Sequence, residues 1–131
     1  MTKEKRALIE YRMERARESL DDAKMTLEAG RIYTCVNRLY YACFYAVSAL
    51  LLTRGLSTSK HGYLRSLLHR EFVKKGLMPK DLGTHFDLLF DNRHKGDYED
   101  FVKFEAEDVA GWLKPTDEFV DHIDQLIQTI K

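Results

Sequence analysis

Two short stretches of this chain gather side chains capable of chemistry. The first is Asn92-Arg93-His94-Lys95-Gly96-Asp97-Tyr98, which brings together a guanidinium, an imidazole, a carboxylate and a phenol. An arginine can hold a phosphate through two parallel N–H donors, and a histidine changes charge near neutral pH. Arg93 and Asp97 stand four apart, so on a helix they face one another and can pair. Either they form an anion site to which Tyr98 presents its hydroxyl, or they clamp a helix end while Tyr98 packs inward. The second stretch is Arg54 followed by His61, Arg65 and His69. Residues 61, 65 and 69 share one side of a helix. Near its N-terminus, where backbone N–H groups favour anions, they could form an electropositive rim. The plain alternative is a solvated basic face.

A third pattern crosses an otherwise apolar segment. Thr34, Asn37 with Arg38, Tyr41, Tyr45 and Ser48 recur at helical spacing. A polar, tyrosine-bearing stripe on an apolar helix requires partners, from a cleft, a subunit interface or another polar helix.

Other site classes are missing from the sequence. It has no glycine-rich phosphate loop, no HExxH and no CxxC. The five histidines lack metal-ligand spacing, so neither a metal nor a cofactor is expected. Cys35 and Cys43 lie in one expected helix, about 12 Å apart at the helical rise, too far for a disulfide. They read as buried free thiols.

The elements that must position these residues are helices. Helix 1 is expected over about Lys5–Ala29, where Ile9, Met13, Ala16, Leu20, Ala23 and Leu27 form an apolar seam that stops at Gly30. Helix 2, about Ile32–Thr53, is apolar on most sides and should be central. Ser57-Thr58-Ser59 offers capping hydroxyls to helix 3, which runs to about Lys75. Pro79 opens helix 4, which ends around Gly96. Helix 5 spans about Glu105–Ile130, with a kink or short break at Pro115. No β alternation, repeat or linker intervenes. The expected fold is therefore all-α, an up-and-down bundle of about five helices in one domain over residues 1–131.

Composition agrees with a globular chain, 44% hydrophobic and 32% charged. The 21 basic and 21 acidic residues cancel but are unevenly placed. Residues 54–75 carry six Lys and Arg against Glu71 alone, and residues 97–124 carry ten acids against Lys103 and Lys114. Such asymmetry can offer a local anion site without a globally basic surface. The longest apolar run, Leu39–Val47, falls short of a membrane span of roughly 20 residues. The charged start Met1-Thr2-Lys3-Glu4-Lys5-Arg6 is unlike a signal core. A cytoplasmic protein with no membrane contact is the expectation.

Three blocks then resemble a known family. Ala29-Gly30-Arg31-Ile32-Tyr33 leads into Asn37-Arg38-Leu39-Tyr40-Tyr41-Ala42-Cys43-Phe44-Tyr45-Ala46-Val47-Ser48-Ala49-Leu50-Leu51. Lys60-His61-Gly62 and Arg93-His94-Lys95-Gly96-Asp97-Tyr98 follow in order. Together they resemble the HEPN domain family over about residues 10 to 130. The resemblance implies a bundle that commonly dimerises and acts in nucleotide or RNA chemistry, often beside a small nucleotidyltransferase in toxin–antitoxin or defence modules. It further implies, for many members, metal-independent RNA cleavage by an arginine and a histidine with four to six residues between them. In a related branch a nearby tyrosine is nucleotidylated. Here the four residues after Arg93 lead to Tyr98 and not to histidine, and Arg54…His61 has the spacing in an earlier segment.

Three readings follow, in order. A homodimeric module binds a nucleotide, RNA or a nucleotidyltransferase partner through Arg93, Asp97, Tyr98, Arg38, Tyr41, Tyr45 and His61. A ribonuclease toxin uses Arg93 with His94 or His61 as catalytic residues. A non-enzymatic interaction protein seals a dimer with its polar stripe.

Overall fold

A computed structural model describes residues 1–130 of the chain as helices and turns, with no strand among the described residues. Helix α1, Lys3–Glu28, starts two residues earlier than the expected Lys5. Thr2 caps it, its hydroxyl accepting from the Lys5 N–H at 3.0 Å. The expected seam is buried from Ile9 to Ala23, with Leu27 at its edge. Gly30, at a φ of 75°, turns the chain into α2, Ile32–Leu52. The short connection makes α1 and α2 a helical hairpin, the most extensive pairing in the molecule.

Helix α2 is central, touching α1, α3 (His61–Leu68), α4 (Lys80–Tyr98), α5 (Ala106–Ala110) and α6 (Leu113–Ile130). By length and composition alone it could cross a membrane, longer than its apolar run suggested. Its most apolar window is 67% buried inside the bundle, however, as a core helix would be. Cys35 and Cys43 are both buried free thiols within it. Burial pushes the Cys35 thiol up to about 11 and the Cys43 thiol higher still, so neither is a ready nucleophile.

Beyond α2 the structure corrects four element boundaries. Helix α3 is capped at Lys60, not by the hydroxyls of 57–59. Thr58 instead accepts from the Lys60 N–H one step before the helix. Its continuation is a π-turn, His69–Val73. There His69 bonds the Asp87 carboxylate at 3.0 Å, and α4 comes close enough that a Cβ on Gly83 would lie 3.0 Å from Val73. Helix α4 does not stop at Gly96 but continues to Tyr98. Gly96 serves instead as a contact point, because a Cβ there would lie 3.0 Å from the Phe104 ring. The last expected helix is divided: α5 ends at Ala110 and α6 begins at Leu113, so the break falls at Gly111-Trp112, ahead of Pro115. Pro115 thus sits in the first turn of α6, where its missing N–H leaves no bond unmade. Val109, Phe119, Ile123 and Ile127 are buried as expected, while Ile130 is exposed.

Candidate functional site

Helices α2, α3 and α4 meet around Tyr40. Its side chain is fully buried, packed against Phe86 and Phe90 of α4. Its hydroxyl nonetheless meets His61 Nδ1, at 2.6 Å, at the first residue of α3. The His61 ring stacks on Phe44 with centroids 4.4 Å apart and meets the Tyr41 ring edge-on at 5.9 Å. Arg93, 7% exposed, lays its guanidinium over the Tyr40 ring at 4.6 Å. A cation on an aromatic face is favourable, more so when desolvated.

The electrostatics of this cluster fix its protonation. Burial raises the Tyr40 hydroxyl above its ordinary range, against the pull of the Arg93 charge. Burial, and then the Arg93 charge, lower His61 below 6.5. Both shifts favour the neutral pair, in which Tyr40 donates its O–H to Nδ1 and the ring proton of His61 sits on Nε2. That Nε2–H has no protein partner among the described residues, so it remains a donor. Arg93 is also incompletely matched. Nη1 reaches the Asp97 carboxylate at 3.4 Å along the helix, while the buried Nε has no partner. A native guanidinium rarely leaves a buried donor empty.

The sequence-predicted residues divide on this map. Arg93 pairs with Asp97 and lies 6.0 Å from the Tyr41 ring, which meets His61. Arg38 is at the edge, over the Tyr41 ring at 5.1 Å and donating to the Asn37 side-chain oxygen. Tyr45 is one turn farther on, its hydroxyl accepting from Arg15 of α1 at 3.1 Å. His94 and Tyr98 stand outside the cluster on the exposed side of α4, their rings 4.9 Å apart. Tyr98 is 70% exposed, so it does not pack inward as the clamp reading required. The electropositive rim is not assembled either. Arg54 goes to Glu71 and the Phe72 ring, His69 to Asp87, and Arg65 to Asp91 and the face of Phe90. Tyr40 is the residue the sequence reading left out. Its signal was a phenol on the buried side of an apolar helix, which must find a polar partner.

Tyr40, His61 and the Arg93–Asp97 pair of this cluster lie in the three sequence blocks that resemble one family. The HEPN domain model matches residues 9–126. The chain belongs to the HEPN domain family. Among curated relatives, a UPF0332 protein of Thermotoga maritima is 48% identical over 128 residues, covering 98% of this chain and 97% of its own length. A Methanocaldococcus jannaschii protein named "Putative toxin MJ0605" is 30% identical over 130 residues, covering 99% and 96%. A second from that organism, "Putative toxin MJ0142", is 27% identical over 76% of this chain and 68% of its own length. This HEPN chain is thus similar to the first of these two proteins over 99% of its length and to the second over 76%.

Proposed function

We propose that this HEPN protein is the HEPN half of a toxin–antitoxin type module, whose Tyr40–His61–Arg93 centre holds a phosphate of a nucleotide or RNA. The observation that carries the reading is the unsatisfied Nε of buried Arg93, beside a neutral imidazole whose Nε2–H is also without a protein partner. An oxyanion is the kind of acceptor either donor calls for, and bonds to a charged group are the stronger kind. Tyr98, exposed on the same helix, is the tyrosine within reach of a nucleotidyltransferase partner.

Binding ranks above cleavage for a chemical reason. A general base must accept the proton of a ribose 2′-hydroxyl. His61 has its basic Nδ1 occupied by the Tyr40 hydroxyl, and the exposed His94 ring lies against Tyr98.

Calorimetric titration with pyrophosphate and AMP tests the reading. Wild type should bind, and Arg93→Lys should bind at least about tenfold more weakly, because lysine keeps the charge but not the fork. Equal affinity in both would overturn it. RNA cleavage that disappears in His61→Ala would replace it with the nuclease reading.

A further inference from the structure

Beside Asp97, the start of α2 and the last turn of α4 border an open cleft of about 270 Å³, lined by Tyr33, Thr34, Asn37 and Asp97. It is smaller than the roughly 300–1,000 Å³ of pockets that hold a whole ligand. Its polar atoms are only partly committed. The Tyr33 hydroxyl donates to the Val102 carbonyl and its ring packs against Phe104, so it offers the cleft a wall. Arg38 donates twice to the Asn37 side-chain oxygen, which fixes the amide orientation and leaves the NH2 as a spare donor. Asp97 uses Oδ2 toward Arg93, at 3.4 Å, leaving Oδ1 as a spare acceptor. The Thr34 hydroxyl, which can donate and accept, has no hydrogen bond among the described residues.

One spare acceptor, one spare donor and one amphoteric hydroxyl, in a cleft one side chain from a guanidinium, match a pair of adjacent hydroxyls near a phosphate. We propose that this cleft is a ribose subsite, in which Asp97, Asn37 and Thr34 grip the 2′,3′-diol of a ribonucleotide unit whose phosphate lies at Arg93. The proposal rests on the phosphate reading above and deepens it. Asp97 joins the two functions, accepting from Arg93 on one oxygen and from a sugar hydroxyl on the other. A carboxylate is well suited to this, since it accepts a hydroxyl proton more strongly than a neutral amide does. A deoxyribose leaves one of these polar atoms facing no partner, so the cleft discriminates sugars without touching the base.

The test compares affinities of the full chain for pyrophosphate, AMP, 2′-deoxy-AMP and 3′-deoxy-AMP, and for matched short RNA and DNA oligonucleotides. Wild type should bind AMP at least about tenfold more tightly than either deoxy analogue, the value of one charged hydrogen bond. Thr34→Val, an isosteric change at an exposed position, should bring that ratio toward one, as should Asp97→Asn. A sugar preference seen with AMP alone supports a free nucleotide as the source of the ribose. The same preference for RNA over DNA supports the 3′ end of a chain, the one unit whose 2′,3′-diol is free. Equal binding of AMP and both deoxy analogues, with pyrophosphate still bound and weakened by Arg93→Lys, overturns the ribose subsite and leaves the phosphate site standing. A wild type that binds neither pyrophosphate nor any nucleotide overturns both.

Discussion

A phenol inside an apolar helix face loses its hydration and must recover a hydrogen bond there. Tyr40 does so with His61, and that bond ties α2 to the start of α3. The periodicity of α2 identified Thr34, Asn37, Arg38, Tyr41 and Tyr45 because polar residues stand out on an apolar background. Tyr40 counted among the apolar residues and stayed hidden. The Arg93–Asp97 pair was legible because both partners lie on one helix, whereas the Tyr40–His61 bond joins two and has no local spacing. Tyr98 can be assigned from its exposure. Tyr98→Phe should change stability by less than about 0.5 kcal/mol, as substitutions on open surface do. A thermal melt checks this, and a larger loss would restore the helix-clamp reading. His85 shows what a purely structural histidine looks like here. It is buried, its Nε2–H donating at 2.8 Å to Thr116, which in turn donates to the Trp112 carbonyl. Burial lowers its pKa from 6.5 to about 4. Above pH 6.5 both folded and unfolded forms are neutral. Between 6.5 and about 4 the unfolded chain takes up a proton that the folded chain refuses, so stability falls as pH falls. The loss is on the order of 2–3 kcal/mol. In urea titrations across that window His85→Gln, which keeps an N–H for Thr116 but does not titrate, should show a shallower decline than wild type. Parallel curves would rule His85 out as the source.

At the scale of the element, helix identity was readable and helix ends were not. Apolar spacing marked each long helix, because the same 3.6-residue period that places side chains on the core also writes the sequence. Ends depend on contacts made far along the chain. Gly96 resembles a stop signal, yet it lies inside α4 because Phe104 needs the space of its absent side chain. Gly96→Ala should therefore destabilise, by about 1–3 kcal/mol for an overpacked contact, although alanine is the better helix former. A gain in denaturant midpoint would show that Phe104 moves away freely. Pro115 misled in the opposite way. Read alone it suggested a kinked helix, but Gly111-Trp112 separates α5 from α6 first and Pro115 then falls in the permissive opening turn. The Pro115→Ala variant should lose about 0.4–1 kcal/mol, since proline restricts the unfolded chain at no folded cost there. An unchanged or higher midpoint would mean that the ring is strained where it stands.

For the molecule as a whole, the question is what covers the outer side of α2. Most of that helix is enclosed by its own bundle, but Arg38, Tyr41, Phe44 and Tyr45 remain half-buried along one side. Three of them are aromatic rings stacked edge to face, with centroids 5.7 Å apart for Tyr41–Phe44 and 6.1 Å for Phe44–Tyr45. Arg15 and Arg38 lie over the two tyrosines. Aromatic residues and arginines are the side chains enriched at protein interfaces, because they bury large area while keeping a polar tip for hydrogen bonding. A two-fold interface is self-complementary, and a stripe carrying both rings and guanidinium groups can meet its own copy ring to cation. The expected state in solution is therefore a homodimer through this side of α2. Light scattering at micromolar concentration should give about twice the 15.4 kDa chain mass. Tyr41→Ala should return it to the chain mass, because it removes the ring that would meet a guanidinium of the second copy. Tyr41 also borders the Tyr40–His61–Arg93 centre, with its ring 5.9 Å from His61, so the same variant should weaken AMP binding if the second copy closes that centre. A wild type that is monomeric at these concentrations, with AMP binding intact, would place the whole site within one chain.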